Sequence, residues 1–196
     1  STGGQSKESL YLDCYDLNSG KSIWKRTIKA TETVKKVTNM ISQGAPTPVT
    51  GPEGIYVFFE SGDLLAFNHE GKRLWERKLT EEFGPFKGGH GVGSSLVGVP
   101  ERLVLLIDHE GPSYLLCVDR VTGKTRWKTS REPRVSWTTP LYIKHKEEEQ
   151  IIISSNGIIE SYRLDNGKRI WWFDEIEKNT VASPSADGNL IIAGSS

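Results

Sequence analysis

Cysteine is scarce: Cys14 and Cys117 are the only two in 196 residues. That is too few for a disulfide-built framework, and their separation matches no zinc-ligand spacing. An excess of one charge is also missing. Lys and Arg number 25 and Asp and Glu number 25, so the formal net charge is zero and no polyanion-attracting field is present. Nucleic acid is therefore not an expected partner. No apolar run approaches the roughly 18 residues that a membrane-crossing helix needs. The histidines (His69, His90, His109 and His145) fall at no metal-ligand spacing. No Gly-x-x-x-x-Gly-Lys-Ser/Thr phosphate loop leads into a helix.

What the chain does have is a repeat. Gly20-Lys21-Ser22-Ile23-Trp24, Gly71-Lys72-Arg73-Leu74-Trp75, Gly123-Lys124-Thr125-Arg126-Trp127 and Gly167-Lys168-Arg169-Ile170-Trp171 share the pattern Gly-Lys-x-x-Trp. The tryptophans lie 51, 52 and 44 residues apart, a period that belongs to stacked or radially arranged supersecondary units. Ahead of each Gly-Lys stand two short runs rich in β-branched and aromatic residues, such as Leu103–Ile107 and Ser113–Val118. These read as strands joined by tight hairpins. Asp16 and Asp119 stand where a side chain can accept from turn amides, and the glycine stands where a positive φ closes a type I turn with a bulge. A further strand is marked by Thr47-Pro48, Ser95-Leu96, Thr139-Pro140 and Ser183-Pro184; proline is tolerated near a strand's first residue because no ladder donor is lost there. Each unit is therefore four antiparallel strands over about 44 residues, the length of a propeller blade.

These residues resemble the quinoprotein-type (PQQ-like) β-propeller repeat, whose tryptophan-docking motif runs roughly Ala-x-Asp-x-x-Thr-Gly-Lys-x-x-Trp. Cys117 to Trp127 and Cys14 to Trp24 match with Cys at the small first position; Ala66 to Trp75 is one residue shorter, and Ser161 to Trp171 has Arg163 in place of the Asp. The resemblance implies that Trp24, Trp75, Trp127 and Trp171 dock between neighbouring blades, with Gly20, Gly71, Gly123 and Gly167 in the motif. It also fits Cys14 and Cys117 as buried spacers rather than a redox pair.

The expected fold is all-β, a single PQQ-like propeller domain or a fragment of one. Its parts are a half-blade at 9–28, blades at about 45–79, 93–129 and 138–174, and a half-blade at 181–196. Such a chain is either part of a ring of seven or eight blades, which needs roughly 300–400 residues, or a four-blade count closed by its own half-blades, alone or as half of an eight-bladed homodimer. In the long link 29–44, Val34, Val37 and Ile41 fall at helical spacing, so a helical turn and a polar loop are both open. The charged stretch 144–150 reads as a solvated hairpin tip.

The links that enter each blade line one mouth of a propeller's channel. The Gly-rich link 81–95 and its counterparts supply Lys87, His90, Arg134, Trp137 and Asn179 as candidate ligand or partner contacts. Their bland alternative is a set of polar residues facing water on links that merely turn the chain. No residue is singled out as catalytic or as a metal ligand. Dehydrogenases of the family bind pyrroloquinoline quinone and Ca²⁺ through a carboxylate pair, often with a vicinal Cys–Cys. No adjacent cysteines occur here, so those cofactors are expected only if blades outside this chain supply the ligands. The resemblance is instead to the non-catalytic propeller lipoprotein of bacterial outer-membrane protein assembly. It implies a protein or peptide partner and a periplasmic or otherwise extracytoplasmic location.

Overall fold

A computed structural model describes residues 8–33, 44–89, 91–178 and 180–195. The chain divides into two compact units, Ser1–Pro85 and Phe86–Ser196.

In the first unit, β1 (Ser9–Tyr15) and β2 (Ser22–Lys29) form a two-stranded sheet. β3 (Val49–Gly51), β4 (Gly54–Phe58), β5 (Asp63–Phe67) and β6 (Arg73–Lys78) form a four-stranded antiparallel meander, followed by α1 (Leu79–Phe83). In the second unit, β7 (Val97–Val99), β8 (Arg102–Ile107), β9 (Ser113–Asp119) and β10 (Thr125–Arg131) repeat that meander. β11 (Leu141–His145), β12 (Glu148–Ser155), β13 (Ile158–Arg163) and β14 (Arg169–Phe173) repeat it again. β15 (Ser185–Asp187) and β16 (Leu190–Ile192) make a final two-stranded sheet. This is the expected all-β architecture of four-stranded antiparallel blades.

The turn chemistry explains the hairpins. Asp119 Oδ1 accepts from the Thr122 amide and hydroxyl, both at 2.8 Å, and Asp16 Oδ1 accepts from the Ser19 amide at 2.8 Å and hydroxyl at 2.6 Å. Gly20, Gly71, Gly123 and Gly167 all have φ between 67 and 75°, and a register shift interrupts each of the four strand pairs at this point. The one extra residue at each shift is the bulge that a type I turn plus a left-handed glycine produces. Across each pair the small residue faces the tryptophan: Cys14 opposite Trp24, Ala66 opposite Trp75, Cys117 opposite Trp127 and Ser161 opposite Trp171. Both cysteines are free, and burial pushes the Cys117 thiol up to about 12.

The strand-start markers precede β3, β7, β11 and β15. In the second unit they also bond to one another: the Ser95 amide donates to Thr139 Oγ1 at 3.1 Å and the Thr139 amide donates to Ser183 Oγ at 2.9 Å. Packing between sheets completes each unit. Ile28 of β2 joins Leu65 and Phe67 of β5 in one apolar cluster, and Trp127 of β10 joins Ile151, Ile153 and Tyr162 in another.

Two details depart from the sequence reading. The segment after β6 folds into α1 instead of running straight into a Gly-rich link. The charged tip at 144–150 shrinks to Lys146 and Glu147, because β11 and β12 pair as far as His145 opposite Glu148 and leave Gln150 buried. The link positions Val34, Val37 and Ile41 lie outside the described residues.

Candidate functional site

In an up-and-down meander, the hairpin joining the second and third strands lies at the same end as the segments entering and leaving the sheet. In the second unit that end gathers the link 86–96, the hairpin 108–112 and the link 132–140. His109 ties them together. Its Nδ1 accepts from the Lys87 amide at 2.9 Å and the Gly111 amide at 3.0 Å. With Nδ1 accepting twice, Nε2 carries the proton and donates to the Pro112 carbonyl at 3.1 Å. The His109 carbonyl accepts from the Arg134 amide at 3.1 Å, and the Phe86 ring lies 5.5 Å from the imidazole. Burial holds the His109 pKa below the usual histidine value, partly offset by the Pro112 bond and by Asp108.

Trp137 joins the neighbouring links. Its amide donates to the Thr180 carbonyl at 2.8 Å, and its indole lies so close to Gly93 that a Cβ there would stand 2.9 Å from Cδ1. Of the sequence candidates, Lys87 and Arg134 thus meet through His109, while Trp137 bridges residues 93 and 180. Lys87 is exposed, and Arg134 and Trp137 are half-buried. His90 and Asn179 lie outside the described residues.

Beneath these links lies a charged cluster that the sequence candidates did not include. Arg131, at the end of β10, donates from Nε to Asp108 at 3.1 Å and from Nη1 to Glu160 at 2.5 Å and to the Tyr162 hydroxyl at 2.8 Å. Asp108 also accepts from Ser155 Oγ at 2.5 Å, and Glu160 accepts from Tyr162 at 2.9 Å and Arg169 at 3.0 Å. Arg134 Nη1 stands 3.6 Å from Glu160. The side chains of Arg131, Asp108 and Glu160 are at most 2% exposed, so each charge depends on its partners. Burial opposes ionisation of both Glu160 and Arg131. Arg131, Arg169 and the Tyr162 hydroxyl nevertheless hold the Glu160 carboxyl below its usual pKa, and Asp108, Tyr162 and Glu160 hold the Arg131 guanidinium above its own. Burial raises the Tyr162 phenol to about 12.

The signal for Arg131 was parity. It lies four residues beyond Trp127 on the same strand face, where the first two repeats place Ile28 and Leu79 and the fourth places Glu175. A charge at a core-facing position was the available clue.

The arrangement bears on calcium. Ca²⁺ needs six to eight oxygen ligands, whereas Asp108 and Glu160 enclose a guanidinium and accept from Ser155, Tyr162 and Arg169. This carboxylate pair does not fit a calcium–quinone site.

The family model described as outer membrane protein assembly factor BamB matches residues 60–196. Among solved structures, BamB from Moraxella catarrhalis is similar at 14% identity and a TM-score of 0.64, over 98% of this chain and 54% of that one. A europium-containing methanol dehydrogenase is similar at 12% identity and a TM-score of 0.63, over 90% of this chain and 42% of that one. The quinohemoprotein alcohol dehydrogenase ADHIIG from Pseudomonas putida HK5 is similar at 13% identity and a TM-score of 0.58, over 82% of this chain and 30% of that one. No curated protein matches the sequence. The chain therefore spans between 30% and 54% of the length of these structures. At such identities the likeness establishes the fold, a partial β-propeller of PQQ-like repeats.

Proposed function

This chain belongs to the family of the outer membrane protein assembly factor BamB, and from that premise we propose that it is a rigid, non-enzymatic propeller scaffold for a protein or peptide partner in an extracytoplasmic compartment. The contact surface is the loop end of the second unit, with Lys87, Arg134 and Trp137 as its described members, His90 three residues after Lys87 in sequence and Asn179 next to Thr180. The observation that carries this reading is the bracing of those links by His109, which fixes the Lys87, Gly111 and Arg134 amides and the Pro112 carbonyl among the loops. A loop surface held in place before binding forfeits less ordering entropy on association. No helix among the described residues is long and apolar enough to cross a membrane.

The test is site-specific photo-cross-linking in the source cell. A cross-linker at position 87 captures a protein partner, and one at position 146, on the opposite hairpin, does not. Equal capture at both positions, or none at 87, defeats the assignment of the loop end.

The dehydrogenase neighbours supply a second reading, a quinone- and calcium-dependent domain with its catalytic residues outside this chain. Quinone absorbance retained by the purified chain would favour it. Solution mass by light scattering separates a single chain of 21.9 kDa from the homodimer that would pair complementary half-blades.

A further inference from the structure

Away from the loop end, the first unit carries a groove of about 610 Å³ between β2 and the sheet β3–β6. One wall is the continuous run Arg26 to Thr31, and the opposite wall includes Arg73, Glu76 and Lys78. Four of these side chains are cationic and one is acidic. Arg73 pairs with Glu76, and Lys78 lies 3.1 Å from Glu81. Arg26 has no carboxylate partner among the described residues. Its guanidinium donates to the backbone carbonyls of Gly71, Glu70 and Lys25 at 2.5, 2.9 and 2.8 Å and lies 5.1 Å from the Trp24 ring centroid. Those contacts fix the group in place and leave its full charge uncompensated. Lys29 likewise has no carboxylate within ion-pair distance among the described residues.

The second unit handles the same place in the repeat differently. There Thr129 donates to the Gly167 carbonyl, as Arg26 does to Gly71, and the buried Arg131 is neutralised by Asp108 and Glu160. The surplus of positive charge at the repeat boundary is thus a feature of the first unit's groove. β2 is also the last strand of its two-stranded sheet, so one of its edges has no strand partner among the described residues. An edge strand offers a row of backbone donors and acceptors to an extended segment.

Resting on the scaffold reading, we propose that this groove binds an extended acidic peptide segment laid along residues 26–29 of β2. The strand part of that wall, residues 26–29, spans about 13 Å, which a hexapeptide covers with a residue to spare at each end. Charge complementarity selects the acidic class, and the lining holds no exposed aromatic ring on which a nucleic-acid base could stack.

The experiment measures fluorescence anisotropy of a fluorescein-labelled hexapeptide of alternating glutamate and valine, against a lysine–valine counterpart. The glutamate peptide is expected to bind, more weakly as salt rises, and the lysine peptide is not. K29E/K78E should weaken binding at least tenfold and K29Q/K78Q by less, while K124E/K168E, on turns of the other unit, leaves it within twofold. Melting curves verify folding, and if K29E/K78E does not fold, K29Q/K78Q carries the comparison. Equal binding of the two peptides, or equal weakening by K124E/K168E, overturns the proposal. Tighter binding of an oligothymidylate overturns it in favour of nucleic acid. Loss of the groove result with cross-linking at position 87 intact sinks the groove alone; loss of cross-linking with the groove result intact sinks only the loop-end assignment.

Discussion

Gly167 serves two purposes that can be separated by substitution. It closes its own turn at φ 70°, and it seats the tryptophan of the preceding repeat: a Cβ there would lie 2.4 Å from Trp127 Cε3. Trp127 Nε1 then donates to the Leu164 carbonyl at 2.8 Å. Gly71 and Trp24 repeat the arrangement, with the indole donating to the His69 carbonyl at 2.9 Å. Gly20 has the same left-handed backbone, at φ 67°, with nothing within 4 Å of its Cβ position. G20A is therefore expected to lose only the backbone term, about 1 kcal/mol, whereas G167A adds overpacking and loses about 2–4 kcal/mol. Urea denaturation of the two variants checks this; equal losses would mean that the indole is not seated on the glycine.

Arg131 makes a second prediction at the same scale. R131L leaves Asp108 buried without its cation and leaves Glu160 with only Arg169 and Arg134, and is expected to destabilise by about 3–5 kcal/mol. Replacing the group together, as D108N/R131L/E160L, should recover most of that loss, because the first unit packs Ile28 against Leu65 and Phe67 where the second has Arg131, Glu160 and Tyr162. Denaturant midpoints of the single and triple variants decide it, and a triple variant no more stable than R131L would show that the charges are needed for the packing itself.

The loop elements are governed by His109. Its folded pKa is lowered, so the unfolded chain binds the extra proton first. The stabilisation is present above the ordinary histidine value, about 6.5, and is lost as pH falls through the lower folded value. Protonation also gives Nδ1 a hydrogen where it accepts from Lys87 and Gly111, which frees the link from the hairpin. Corrected for the intrinsic slowing in acid, hydrogen exchange at those two amides should show an excess rate as pH falls below about 6.5. H109N, which keeps an acceptor near Nδ1 but cannot titrate, should show no such excess. Glu160 adds a separate, more acidic window. Its carboxyl is held low, so its contribution is complete above about 4.3 and disappears as pH falls below that.

For the molecule as a whole, the buried carboxylates predict the response to metal. With Asp108 and Glu160 both engaged by Arg131, millimolar Ca²⁺ should leave the thermal midpoint of this chain unchanged. A rise that depends on Ca²⁺ concentration would indicate a site built from other oxygens and would favour the dehydrogenase-like reading.

Sequence alone determined the repeat, the blade's strand count and the turn chemistry, because these depend on local rules. The Asp-and-Gly turns, the small residue opposite each tryptophan and the proline-marked strand starts all operate within one hairpin or one strand. The candidate site was legible only in part. Lys87, Arg134 and Trp137 could be assigned to links because a meander fixes which segments share an end. That Lys87 and Arg134 meet at His109 depends on how a link folds back over a hairpin 22 residues away. Arg131 and Glu160 are 29 residues apart and on different sheets. No local pattern pairs a charge in one blade with its counter-charge in the next, since burial and sheet-to-sheet packing create the requirement for that partner. The groove cations are scattered for the same reason: a strand's composition states which charges it carries, and only the facing wall decides which of them remain uncompensated.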